Sequence, residues 1–362
     1  MKNVKNINVL NFPLLLILLI IIILSGCKGG FNKTSKNNIF SEFSFDDSLW
    51  IDYKELTGIG YEEGISRRDP SDIINVGDLF YIWYTKIPSV TNGNKTPLYN
   101  SGYYGTIWYA VSSDGGFSWE ERGEALGKGE VGKFDSHAVF TPNILSDNGK
   151  FYLFYTAVRT TIGRPYGIFE NNSVSDYTAI GLAVADSPDG PFKRIDNNPV
   201  LMTSKDSSRF DSYRVDDAAL MVRDGKYWLY YKGRSMAHGT IGPSKTKMGV
   251  AFANNPMGPY IKYGKPVLDK SHEVLVWKHN DGVMSLASIS STLEFASDGM
   301  NFDKKKSGKI LKNRPLAPGM YRPHLTDHSL QAIPGWGISM GRKKGDIYLT
   351  RFEIQILDND NL

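Results

Sequence analysis

Three short segments of this 362-residue chain set acids where strands should begin: RRDPSDII at 67–74, RVDDAALMV at 214–222 and HEVLVW at 272–277. Asp69, Asp216, Asp217 and Glu273 each stand at the mouth of an apolar run, and a buried strand has no ordinary use for a carboxylate there. Acids gathered from separate elements can do paired acid and base work. One group protonates a leaving oxygen while another activates water or attacks a sugar, which is the chemistry of glycoside hydrolysis. A third acid nearby sets the donor's pKa by like-charge repulsion and hydrogen bonding. The plainer reading, that these acids cap turns or pair with Arg68, Arg214 and Arg234, accounts for any one of them but less well for Asp69, Asp216 or Asp217, and Glu273 together.

Histidines stand at similar places. His272 directly precedes Glu273, and neighbours on a regular strand point to opposite faces, so at most one of them faces a common pocket squarely unless the strand bends. His137 in DSHAVF and His324 in YRPHL also fall at strand starts, where they could bind sugar hydroxyls or a central divalent cation. Their spacing fits no compact metal motif, so no cofactor is required by the sequence.

The elements that must position these groups are strands. An aromatic kind recurs as GDLFYIWYTK at 77–86, GKFYLFYTA at 149–157 and DGKYWLYYKGR at 224–234, each entered through a glycine-containing turn. A smaller kind recurs at 107–119, 180–192, 248–260 and 291–302, a short apolar strand running into a polar turn and then an aromatic. No stretch of the body keeps a helical apolar period, so the chain reads as all-β. Five segments, RRDPSDII, DSHAVFTPNIL, RVDDAALMV, HEVLVW and YRPHL, divide it into steps long enough for four-stranded blades, which predicts a five-bladed β-propeller over residues 49–362. The first strand of each blade lines the central channel, so the acids converge there. The stretch SSDGGFSW at 112–119 fits the Asp-box pattern seen in sialidases and other propellers. It reads as a turn between outer strands, away from the channel.

Hydrophobic residues make up 41% of the chain and the net charge is only +4, the profile of a folded domain without the basic blocks of a nucleic-acid binder. Lys2 and Lys5 precede an apolar run that ends in Leu24-Ser25-Gly26-Cys27. That order is the charged, apolar and small-residue plan of an export signal, residues 1–26, and its end resembles a bacterial lipobox. Cys27, the single cysteine, is the expected lipidation site, followed by a tether over 27–48 rich in Lys, Asn, Ser and Gly. The expectation is an exported, membrane-anchored lipoprotein facing the periplasm or the cell exterior, without disulfides.

The segments RRDPSDII, SGYYGTIWYA, KFDSHAVFTPNIL, YLFYT, ENNSVSDYTAIGLAVADSPDGPF, FDSYRVDDAALMVRDGKYWLYYKGR, MGVAFANNPMGPY and HEVLVW, in order over residues 65–325, resemble glycoside hydrolase family 117. The resemblance implies a five-bladed propeller related to family 43. It also implies an inverting exo-enzyme that removes terminal α-1,3-linked 3,6-anhydro-L-galactose from neoagarooligosaccharides. Carried over by motif, Asp69 is the base, the aspartate pair supplies the pKa-setting acid with Asp216 favoured over Asp217, and His272 is the proton donor, with Glu273 the competing choice. Asp217, His137, Trp108, Arg234 and Arg322 are then expected to meet the sugar. Many members form a homodimer through an N-terminal helical segment, for which residues 31–61 show no matching pattern. Two other readings stand beside this one: a family 43-like exo-glycosidase on another algal or plant glycan, and a glycan-binding lipoprotein without chemistry.

Overall fold

The computed structural model describes residues 48–87, 105–159, 177–238, 243–286, 292–322 and 335–357. Cys27, the leader and most of the tether, and His324 lie outside the described residues. Within them, strands alternate through the chain, and the one helical element is a 3-10 turn at Pro243–Lys245. No described helix is long and apolar enough to cross a membrane.

The strands form five antiparallel blades, the propeller expected from the sequence. In the first, β2 (Ser66–Arg68) and β3 (Ile74–Val76) both pair with β4 (Leu79–Ile87), followed by β5 (Thr106–Ser112) and β6 (Glu120–Leu126). The second runs β7 (Ala138–Asp147), β8 (Lys150–Arg159), β9 (Tyr177–Ala185), with the short β10 (Lys193–Arg194) and β11 (Leu201–Met202) at its edge. The third repeats that plan with β12 (Arg214–Arg223), β13 (Lys226–Arg234), β14 (Lys247–Ala253), β15 (Ile261–Lys262) and β16 (Leu268–Asp269). The fourth is β17 (Val276–His279), β18 (Gly282–Leu286), β19 (Thr292–Ala296) and β20 (Asp303–Lys312). The fifth is β21 (Gly319–Met320), β22 (Trp336–Lys343) and β23 (Asp346–Leu357).

The fifth blade is completed from the other end of the chain. β1 (Ser48–Lys54) pairs antiparallel with β23 from Ser48↔Leu357 to Lys54↔Arg351 and also runs parallel to β20. β1 thus sits between β20 and β23, closes the ring and leaves β23 no free edge.

The aromatic segments of the sequence are the second strands of their blades, and the smaller segments are the third. Buried aromatics from the second strands, Trp83, Tyr84, Phe154, Tyr155, Tyr230 and Tyr231, fill the space between sheets. A three-residue strut recurs there. Asp135, the half-exposed edge cation Arg194 and Tyr155 join the entry loop, the outer strand and the second strand of blade two, at 2.6 Å and 3.0 Å from Asp135 Oδ2. Asp211, Lys262 and Tyr231 do the same in blade three, at 2.5 Å and 2.9 Å. Both aspartates come from an FDS tripeptide. The Asp-box segment is the turn between β5 and β6, as expected: Asp114 accepts from the backbone N–H of Phe117 and Ser118, and Trp119 Nε1 donates to Gly116 O at 3.1 Å.

Candidate active site

The inner strands are not regular where they reach the axis. Between Phe140↔Thr156 and Asn143↔Phe154 the strand β7 carries one residue more than β8, and β12 does the same against β13 between Asp216↔Lys232 and Ala219↔Tyr230. These are β-bulges, which re-aim a side chain. In each bulge a non-glycine residue takes positive φ, Thr141 at 44° and Asp217 at 50°. The equivalent break between β2 and β3 holds Asp69 at φ 50°, and Ala317, just before β21, stands at 43°. Left-handed backbone at non-glycine residues costs roughly 1–3 kcal/mol each and gathers at functional sites.

The bulged residues line one pocket at the hub. Asp69 and Asp72 come from blade one, Thr141 and Asn143 from blade two, Asp217 from blade three, Glu273 from blade four and Ala317 from blade five. The cavity between them holds about 40 Å³, enough for water beside the carboxylates. Four acids from three blades, Asp69, Asp72, Asp217 and Glu273, therefore share one space. Which aspartate of the RVDD pair enters it differs from the expectation: it is Asp217. The bulge turns Asp217 to the axis, while Asp216 stays in register with Lys232 and is wholly buried beside Arg214.

The electrostatics separate the pair further. Burial works to raise the Asp216 pKa, but Arg214 and Lys232 hold it below the ordinary carboxylate value. Asp217 is pushed well up, first by burial, then by the charges of Glu273 and Asp216, with Lys232 opposing. Its Oδ2 lies 2.6 Å from Lys232 Nζ, and Glu273 lines the same pocket. Across the pocket Arg68 Nε donates to Asp69 Oδ2 at 2.7 Å.

His272 Nε2 lies 3.2 Å from Glu273 Oε1. Burial, and after it the charge of Lys232, drives the imidazole down to about 3. It is neutral at the pH where the expectation had it as an imidazolium, so it holds no acidic proton of that kind to give.

The floor of the pocket is a hydrogen-bonded knot that touches every blade. Asn143 Nδ2 donates to Asp72 Oδ2 at 2.9 Å, and Asn143 Oδ1 accepts from Leu220 N at 3.2 Å. The guanidinium of Arg322 donates to Asp72, to Leu220 O at 3.2 Å and to Val276 O. Arg322 is only 1% exposed, so the structure makes it the pin of the hub and not the sugar contact expected from the sequence. For the cation considered for the channel, no group of three His, Cys, Asp or Glu side chains among the described residues could hold a metal ion.

The remaining expected sugar contacts do not line this pocket. Trp108, on β5, lies under Lys86 Nζ at 3.8 Å from the ring centre and donates to Thr106 Oγ1 at 3.0 Å. His137 is half-buried at the entry to blade two, with its N–H on Val158 O at 3.0 Å. Arg234 is buried over the Tyr213 ring, 5.2 Å from its centre. Residues that motif reading passed over, Asp72, Thr141, Asn143 and Ala317, were signalled only by X-Pro pairs at matching places: Asp69-Pro70, Thr141-Pro142 and Ala317-Pro318.

No family model matches the chain, and no curated protein matches it. Solved structures do. Zg3597, a family 117 glycoside hydrolase produced by the marine bacterium Zobellia galactanivorans, is 29% identical over 86% of this chain and 91% of its own, with a TM-score of 0.69. CoXyl43, a family 43 β-xylosidase/α-arabinofuranosidase from a compost microbial metagenome, shares the fold at 16% identity over 86% of this chain and 97% of its own, with a TM-score of 0.53. A family 32 β-fructofuranosidase of Bombyx mori does so at 12% identity over 83% and 61%, with a TM-score of 0.55. Fold, acid-lined hub and relatives define the class: the chain is a propeller glycoside hydrolase. Within that class it resembles family 117, related to family 43, as its motifs indicated.

Proposed function

We propose that this protein is an inverting exo-glycosidase that releases terminal 3,6-anhydro-L-galactose from the α-1,3 linkage of neoagarooligosaccharides. The observation that carries the reading is the meeting of Asp69, Asp217 and Glu273 in one pocket on a fold 29% identical to a family 117 hydrolase. In the proposed reaction Asp69 takes a proton from water as the water oxygen attacks the anomeric carbon. The glycosidic C–O bond breaks, and Glu273 gives its proton to the leaving oxygen. Asp217, which lines the same pocket, is the third acid of the set. Inversion needs base and donor roughly 6.5 to 9.5 Å apart so that water fits between them.

Glu273 is preferred to His272 as donor because the imidazole is neutral down to about pH 3 while Glu273 faces the pocket directly. Asp217 replaces Asp216 as the pKa-setting acid. The N-terminal reading also stands as a proposal: residues 1–26 as an export signal, Cys27 as the lipid attachment point and a membrane-tethered enzyme facing outward, supported by the order of charged, apolar and small residues alone.

Incubation with neoagarobiose, followed by proton NMR, tests the reading. Release of 3,6-anhydro-L-galactose, with the anomer opposite to that of the substrate appearing first, supports it. A folded protein that leaves neoagarobiose intact but turns over an arabinoside or galactoside moves the substrate to the family 43-like alternative. Binding without any turnover moves it to a glycan-binding role.

A further inference from the structure

One wall residue of the pocket stands where its type is least at ease. Thr141 keeps a left-handed backbone, φ 44°, on the inner strand β7. Its counterparts after the last paired residue of the inner strand are Asp69 in blade one and Asp217 in blade three. Aspartate takes that conformation readily, and a β-branched residue does not. Two hydroxyls hold the threonine in it. Thr85 Oγ1, from blade one, accepts the N–H of Thr141 at 3.0 Å, and Thr156 Oγ1, on β8, meets Thr141 Oγ1. Strain held from two sides at a pocket wall points to a use for the side chain.

Counting donors fixes the hydroxyl hydrogens. Thr156 is fully buried, and its Oγ1 accepts the N–H of Asp217 at 3.2 Å. Its own hydrogen has Thr141 Oγ1 as the acceptor in contact. Thr141 Oγ1 therefore receives that bond, and its own hydrogen is left for the cavity that the residue lines. The amide of Asn143, on the same wall, is already used on Asp72 and Leu220 N. Asp72 is used in turn on Asn143, Arg322 and Met320 N. The cavity is thus faced by the carboxyls of Asp69, Asp217 and Glu273 and by one hydroxyl donor, with prolines and aliphatic side chains between them.

Carboxylates suit the hydroxyls of a sugar and repel an oxygen that carries no hydrogen. The terminal sugar proposed above has free hydroxyls at C2 and C4 and hydrogen-free oxygens in its ring and in its 3,6-bridge. A donor on the ring oxygen would oppose the positive charge that gathers there in the oxocarbenium-like transition state. The bridge oxygen carries no such charge, so a donor can hold it throughout the reaction. We infer that Thr141 is a specificity residue of this pocket: its hydroxyl donates to the bridge oxygen of the 3,6-anhydro sugar and so distinguishes that sugar from unbridged L-galactose. In the unbridged sugar the ring takes the opposite chair, and its oxygens at C3 and C6 are separate hydroxyls. The inference rests on the substrate reading given above.

The test uses the full chain in mild detergent, with Thr141→Val, which keeps shape and branching but removes the donor, and Thr141→Ser, which keeps the donor. The ligands are neoagarobiose and α-L-galactosyl-1,3-D-galactose, the same disaccharide without the bridge, each read as a substrate or as a competing ligand. Binding of free 3,6-anhydro-L-galactose is followed by calorimetry. With Val, KM for neoagarobiose and the dissociation constant of the free anhydro sugar should rise about two- to tenfold, the worth of one neutral hydrogen bond, with kcat close to wild type. The unbridged disaccharide should be handled as by wild type, so the preference for the bridge falls by the same factor, and Ser should restore it. A preference unchanged in the Val variant overturns the inference. So do equal losses on both disaccharides, the mark of a merely structural role, or a failure of Ser to rescue. A wild-type protein that neither cleaves neoagarobiose nor binds the free anhydro sugar sinks the substrate reading and this inference with it. One that does either, with the preference intact in Val, sinks the role of Thr141 alone.

Discussion

Asp216 and Asp217 are adjacent in the chain, yet the bulge in β12 gives them opposite surroundings: Asp216 is buried against Arg214 and Lys232, and Asp217 faces the pocket beside Glu273. Their substitutions should therefore fail differently. Asp216→Asn removes the carboxylate that Arg214 and Lys232 both meet and should cost about 3–5 kcal/mol of stability, read as a lowered Tm or denaturant midpoint. Asp217→Asn should remove most turnover with a smaller change in Tm. Equal effects of the two variants on both measurements would undo the assignment.

Asp69→Asn removes the group that would take the proton from water. Loss of a general base lowers rate by roughly 10²–10⁴-fold. The fall should appear in kcat on neoagarobiose while the circular dichroism spectrum and Tm stay close to wild type. Activity retained within a factor of a few would exclude Asp69 as the base.

His272 offers a test by pH. Its folded pKa, about 3, lies below the ordinary value near 6.5. Between those values the unfolded chain binds a proton that the folded protein does not, so stability is full above about 6.5 and is lost as pH falls toward 3. His272→Gln should flatten that part of the stability profile, measured by urea midpoints at a series of pH values. It should also leave the alkaline limb of the rate profile in place under the proposed donor role of Glu273; disappearance of the limb would return the role to the histidine.

Arg322→Met leaves Asp72 charged at the floor of the hub without its guanidinium partner. A broken buried pair costs about 3–5 kcal/mol. Calorimetry should show one lowered transition and not separate ones, since the knot reaches every blade. An unchanged Tm would mean that the knot contributes nothing to the ring.

Much of this was readable in the residues. The aromatic second strands, the third strands and the polar turns recur at a fixed order, and recurrence is what a propeller needs because each blade must bury both faces. The acid residues Asp69 and Glu273 were found because a charge at the mouth of an apolar run is expensive without a purpose. The choice between Asp216 and Asp217 was not readable, because alternation along a strand holds only while the strand is regular, and one extra residue in β12 reverses it. Arg322 misled for a related reason: arginine suits both a sugar and a buried carboxylate, and only Asp72, 250 positions away, shows which it serves. The fifth segment was placed at YRPHL, whereas the pocket takes Ala317-Pro318 just ahead of it, residues with no chemistry to attract notice.

The pairing of β1 with β23 carries a consequence for how the molecule is made. Ser48 finds its partners at Lys309 and Leu357, so β1 has nowhere to dock until β20 and β23 have been synthesised. Blades one to three can assemble from neighbouring residues as they emerge, but the ring stays an open arc with an unsatisfied edge through that whole interval. Loop closure over such a span slows folding and exposes the edge to wrong partners. A chain cut short by its final strand should thus accumulate as an aggregation-prone arc, even though every residue that touches the pocket is already present.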